Sequence, residues 1–150
     1  MLGQGQRSWS PDIERFRLLA RRGLKLWEGG RLGDAISLLV EADGLFDAHG
    51  FQGTRGSNAA LDEEMRLLHG QIMQALVALA ISRGDHDAEI RYLLRLAQAD
   101  MRAPGPFFEL ARTAAESGRH GEARRYFRIY VDRTKKLGGD AAPFPGPGRA

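Results

Sequence analysis

The sequence predicts an all-α protein of six helices arranged as three antiparallel pairs. Three observations lead to this expectation. Apolar residues recur at helical spacing in six separate segments, the mark of helices with one buried face. No stretch of useful length alternates apolar and polar residues as a half-buried strand does. A phrase of glycine turn, small residue and apolar stripe recurs along the chain. It reads Gly30-Arg31-Leu32-Gly33-Asp34-Ala35 and Gly118-Arg119-His120-Gly121-Glu122-Ala123, with a looser copy at Gly84-Asp85-His86-Asp87-Ala88-Glu89.

The first helix opens at Ser10-Pro11, a hydroxyl N-cap followed by proline at the first helical position. Asp12 and Glu14 then suit the positive end of the helix dipole. Its stripe is Ile13, Phe16, Leu19, Ala20, Leu24 and Trp27, and Gly29-Gly30 ends it. The second helix is expected from about Asp34 to Phe46, with Ala35, Ile36, Leu38, Leu39, Ala42, Leu45 and Phe46 inward. Asp47 to Asn58, rich in Gly, Ser, Asn and Thr, reads as a long loop. The third and longest helix spans about Ala60 to Ser82 on Leu61, Met65, Leu68, Ile72, Leu76, Leu79 and Ala80. The fourth spans about His86 to Ala99 on Ala88, Ile90, Leu93, Leu94 and Leu96. Two prolines break the pattern between Asp100 and Pro106. The fifth helix runs to Glu116 on Phe107, Phe108, Leu110, Ala111 and Ala114. The sixth runs from Gly121 to Lys136 on Ala123, Tyr126, Phe127, Tyr130 and Val131.

From Gly84 to Gly118 is 34 positions, the tetratricopeptide period; from Gly30 to Gly84 is 54, one period plus a long loop. One helix pair cannot hide its own apolar face, so pairs stack into a short tetratricopeptide-like solenoid and share a core. Ala35 and Ala123 are the small residues that let paired helices approach. The expected organisation is a flexible leader over 1–9, the repeat domain over 10–137, and a Gly/Pro-rich tail over 138–150. That tail cannot continue a helix and is a poor cover for the end of the stack.

Twenty-two basic residues against nineteen acidic leave a net charge of +3 in 150 residues, close to balance. With no cysteine, disulfides and thiolate-bound metals are excluded. No uninterrupted apolar run approaches the roughly 18 residues of a membrane span, and the polar first ten residues lack the apolar core of a signal peptide. These features fit a soluble protein of a bacterial cytoplasm without a membrane partner. The excess of Arg, Ala and Gly associates with a GC-rich bacterial genome.

Little in the chain suggests chemistry. His49, His69, His86 and His120 show no metal-ligand spacing, and nothing matches His-Glu-x-x-His or the Gly-x-Ser-x-Gly elbow. Gly3-Gln4-Gly5 is too short for a phosphate loop. Asp62-Glu63-Glu64 reads as dipole matching at a helix start rather than acid–base machinery. No catalytic residue, cofactor or metal is expected. The one biased surface is the last helix. There Arg119, Arg124, Arg125, Arg128, Arg133, Lys135 and Lys136 stand against Glu122 and Asp132. A solvated face with cations near its C-terminus explains the bias; an acidic partner or a phosphate backbone is the sharper alternative. Arg124, Arg125, Arg128 and Arg133 are the candidate partner-binding residues. Trp27 and Tyr126 sit at core spacing.

Read in order, several pieces resemble one family. Asp12-Ile13-Glu14-Arg15-Phe16 opens a helix, and Leu38-Leu39-Val40-Glu41-Ala42 with Leu45-Phe46 precedes a glycine at Gly50. Glu63-Glu64 begins a long helix ending Ala75-Leu76-Val77-Ala78-Leu79-Ala80. Leu93-Leu94-Arg95-Leu96-Ala97, Glu116-Ser117-Gly118-Arg119, Ala123-Arg124-Arg125-Tyr126-Phe127 and Lys136-Leu137-Gly138 follow. Over about residues 11–140 the chain resembles the bacterial transcriptional activator domain of the Streptomyces antibiotic regulatory proteins. It departs from them after Asp100, where Met101 stands in place of the usual proline. The resemblance implies a non-enzymatic regulatory module that dimerises and contacts the transcription machinery. Sequence-specific DNA reading would belong to a winged-helix domain ahead of it, which these residues do not include. The chain is then an excised piece of such a regulator or a protein using the module alone. The rival expectation is a free-standing tetratricopeptide adaptor that holds a partner peptide.

Overall fold

A computed structural model describes residues 11–49, 59–100 and 102–145, and the described residues hold six α-helices and no strand. They are α1 (Pro11–Glu28), α2 (Leu32–His49), α3 (Ala59–Ser82), α4 (His86–Ala99), α5 (Gly105–Glu116) and α6 (His120–Lys136). The expected leader, the Ser10 cap and residues 50–58 of the expected 47–58 loop lie outside the described residues. The chain divides into two compact units, Met1–Leu79 and Ala80–Ala150.

The recurrent glycine phrase closes the helices. Gly30, Gly84, Gly118 and Gly138 all take positive φ, between 67° and 82°, a region open to glycine without strain. At Gly30 the backbone N–H donates to the Trp27 carbonyl at 3.0 Å, and the Arg31 N–H reaches the Leu26 carbonyl at 2.9 Å. The same pair of bonds recurs at Gly84–Asp85, Gly118–Arg119 and Gly138–Gly139. This double closure satisfies the last carbonyls of a helix within the turn itself. Asp85 then caps α4 by accepting the Ala88 N–H at 3.1 Å. Because the Gly30 turn finishes at Arg31, α2 starts at Leu32, two residues ahead of the expected start. It runs on to His49, since Asp47-Ala48-His49 contains no breaker.

In the first unit α1 and α2 pack together along their lengths. Phe16, Ala20, Ala35, Leu39 and Ala42 are fully buried, and the Phe16 and Phe46 rings lie 5.6 Å apart. The approach is closest at Gly23, a buried glycine in the middle of α1, where a Cβ would lie 2.7 Å from Leu39 Cδ2. Ion pairs from Arg17 and Arg21 to Glu64 tie the start of α3 to α1. α3 is long and apolar enough by composition to cross a membrane, with a window of mean hydropathy 1.2, although no single apolar run in it is that long. Half of that window is buried inside the fold, Ile72, Met73, Ala75 and Leu76 among it.

In the second unit α5 packs against both α4 and α6. Its core comprises Leu93, Ala97, Phe107, Leu110, Ala111, Ala114, Ala123 and Tyr126. Leu94, expected inward, is exposed. The buried line of α4 passes through Ile90, Leu93 and Ala97, and the next residue after Leu93 is turned about 100° from it. After α6, residues 138–145 form no helix and lie against it. The Phe144 ring meets Phe127 edge-on at 5.1 Å, and the Ala142 N–H donates to the Tyr130 hydroxyl at 2.8 Å.

Candidate protein-interaction site

The basic bias of α6 resolves into a groove. The chain between α4 and α5 is held by Asp100, whose Oδ1 accepts the Arg102 N–H at 3.0 Å. Pro106 then stands in the first turn of α5. Aromatic contacts fix α6 against α5, Phe107 with Tyr126 at 6.3 Å and Phe108 with Tyr130 at 5.0 Å. Between this connection and the last two turns of α6 lies an open cavity of about 860 Å³. Arg102, Arg128, Asp132, Arg133 and Lys136 line it with Ile129 and Leu137.

The four candidate arginines therefore separate. Arg128 and Arg133 face the groove; Arg124 and Arg125 do not line it. Arg133 is half-buried, its guanidinium 4.5 Å over the Phe107 ring and its Nη1 3.5 Å from the Ala103 carbonyl. That stacking fixes the charge in position. Arg125 lies against the Tyr126 ring at 5.6 Å, and Arg124 is exposed. Arg119 turns away and pairs with Asp87. This contact holds the Asp87 carboxyl below its ordinary value of 3.8 and raises Arg119. Lys136 pairs with Asp132 at 3.2 Å, one turn away. The sequence missed Arg102 because it lies in a different element. The pairs 128/129, 132/133 and 136/137, four residues apart, were a legible signal for the rest of the stripe.

The remaining polar features are internal. In the second unit the buried Glu89 accepts from Thr113 Oγ1 at 2.9 Å and from Arg112 Nη2 at 2.9 Å. Burial lowers the Arg112 pKa, but hydrogen bonds to Glu109 and Glu116 outweigh it and the net shift is upward. His86 Nδ1 lies 3.1 Å from Thr113 Oγ1. In the first unit His69 is buried, stacked on Phe46 at 3.8 Å, with Nε2 2.7 Å from Asp43 Oδ1. Its Nδ1 has no hydrogen-bond partner among the described residues. A His–Asp pair orients a base in hydrolases, but among the described residues no nucleophile is hydrogen-bonded to the other ring nitrogen. The pair is one of core packing. Two carboxylates of the Asp62-Glu63-Glu64 cluster are tied up in ion pairs: Glu63 bonds Arg66, and Glu64 accepts from Arg17 at 2.8 Å and Arg21 at 3.2 Å. Among the described residues no three His, Asp or Glu side chains converge as a metal site.

Fold and groove together define a class, an all-α helical-repeat protein whose distinctive surface is cationic and concave. The C-terminal TPR-containing domain of a Plasmodium falciparum protein described as FK506-binding has a similar fold. The two share 13% identity at a TM-score of 0.63, over 83% of this chain and 80% of that one. No curated protein matches at a significant level. The sequence profile of the bacterial transcriptional activator domain matches residues 11–143, and the chain belongs to that family. Modules of these two kinds serve regulation and protein interaction.

Proposed function

We propose that this chain is a non-enzymatic regulatory module that dimerises and makes protein–protein contacts in transcription activation, in a bacterial cytoplasm. Its membership of the activator-domain family over residues 11–143 carries the reading. The repeat fold supports it, because stacked helix pairs present extended surfaces to partners. Leu18, Val40 and Leu67 stay exposed on the helices of the first unit, apolar side chains that a second copy can cover. On this reading the chain alone does not recognise a DNA sequence. Its charges nearly balance, and no recognition helix stands apart from the repeat stripes.

Two measurements test it. Sedimentation equilibrium should give twice the 16.6 kDa chain mass; a single species at the chain mass over a wide concentration range refutes dimerisation. Fused behind a heterologous DNA-binding domain in a bacterial host, the chain should activate a reporter. The likeness to a TPR-containing domain favours a second reading, a free-standing adaptor that holds a partner peptide. An adaptor would leave the reporter silent.

A further inference from the structure

We propose that the groove along α6 is the docking site for an acidic peptide segment of a partner protein, one that alternates carboxylates with aliphatic side chains. The proposal rests on the reading of the chain as a protein-interaction module and names the partner chemistry. Four cations and a single carboxylate line the groove. Asp132 and Lys136 offset each other, which leaves Arg102, Arg128 and Arg133. None of these three guanidiniums meets a carboxylate among the described residues, whereas Arg15, Arg17, Arg31, Arg66 and Arg112 all do. Arg133 is already fixed over Phe107, so little side-chain freedom is lost when a carboxylate arrives. Guanidinium forks bind carboxylates in two-pronged fashion.

The wall is not only charged. Ile129 lies between the arginines, and Leu137 at its edge is 61% exposed. An aliphatic side chain seated there would lose its water while its neighbours meet the arginines. About 860 Å³ is within the range of sites that enclose a compact ligand. A nucleic-acid backbone fits less well. It prefers a long basic track with aromatic platforms for bases, and the described residues that line this groove include Asp132 and no aromatic ring. A second copy is also disfavoured as occupant, because three of the chain's more exposed carboxylates are already paired within it. Glu41 bonds Arg15, Glu63 bonds Arg66, and Glu64 bonds Arg17 and Arg21.

The test uses a fluorescein-labelled peptide of alternating Glu and Leu, its Gln-for-Glu counterpart, and a labelled DNA duplex, each titrated with the full chain and read by anisotropy. The acidic peptide should bind, more weakly as salt rises, and the Gln peptide should not. Arg102→Glu with Arg128→Glu should weaken binding at least about tenfold, the weight of one charge-assisted hydrogen bond. Arg22→Glu with Arg83→Glu makes the same change of net charge on exposed residues outside the groove and should leave binding intact. Equal binding of the Gln peptide, equal loss in the two double variants, or tighter binding of the duplex through the same arginines each overturns the proposal. So does loss of the dimer in the groove variant, which would give the groove to a second copy. The circular dichroism melting temperature of each variant reports its folding. Anisotropy reads the peptide alone, so a monomer mass or a silent reporter refutes the proposed function without deciding this result.

Discussion

A methyl group added at Gly23 would lie 2.7 Å from Leu39 Cδ2, 2.9 Å from Leu39 Cγ and 3.3 Å from Leu38 Cβ. Leu39 is fully buried, so it can swing aside only by displacing its core neighbours. Two effects oppose each other in Gly23→Ala. Alanine favours helix over glycine by about 1 kcal/mol. Overpacking a filled helix contact costs about 1–3 kcal/mol, and the contact at 2.9 Å involves a branch carbon close to the backbone, so the upper part of that range applies. The net expectation is a loss of about 1–2 kcal/mol. For a chain of this size that lowers the melting temperature by roughly 2–8 °C. Gly44 and Gly70 are the internal comparison. Both lie within helices with nothing within 4 Å of an added Cβ, so Gly44→Ala and Gly70→Ala should each stabilise by about 0.5–1 kcal/mol. Thermal unfolding followed by circular dichroism reads all three. Replacing Leu39 by Ala should abolish the penalty at Gly23. A Gly23→Ala protein that melts as high as Gly70→Ala would show that α1 and α2 do not meet there.

Ala123 is fully buried where α6 packs on α5, so Ala123→Trp should cost about 3 kcal/mol or more; an unchanged melting temperature would mean that the site is open. Glu89→Ala leaves Thr113 Oγ1 and Arg112 without their buried acceptor and should cost about 1–3 kcal/mol, with Glu89→Gln milder; equal melting of both variants would contradict the role given to the carboxylate. Asp87 has its pKa lowered by Arg119, so the stability it contributes is present above pH 3.8 and is lost as pH falls through the lower folded value. Asp87→Asn should therefore narrow the difference in melting temperature between neutral and strongly acidic solution; an unaltered difference would rule the ion pair out as a source of acid sensitivity.

The helices were legible because each is bounded by local chemistry. Gly84-Asp85 placed the start of α4 at His86, and Asp100 with the following prolines placed its end at Ala99. Boundaries slipped where the signal was weak, as at Leu32, where Gly33 hid the start of α2. The tight contact at Gly23 was not legible, because a lone glycine inside a helix pattern looks the same whether its neighbour is solvent or Leu39. The buried His69 and Glu89 were equally hidden, since their partners Asp43, Arg112 and Thr113 lie more than twenty residues away. The groove was half visible. The bias of α6 singled out Arg128 and Arg133, but Arg102 comes from another element. That Arg119 spends its charge on Asp87 also depends on tertiary contact.

The glycine closures bear on how quickly the chain finds its structure. At each of Gly30, Gly84 and Gly118 the end of one helix completes its own hydrogen bonds within a three-residue turn and hands over directly to the next helix. Within the two units, the contacts of α1 with α2, α4 with α5 and α5 with α6 join neighbours in sequence. Closing so short a turn takes little entropy, and native contacts that are near in sequence go with low contact order and fast folding. Early closure at the Gly30 and Gly118 turns predicts that Gly30→Ala and Gly118→Ala slow refolding in stopped flow more than they hasten unfolding; the reverse would place these turns late in folding.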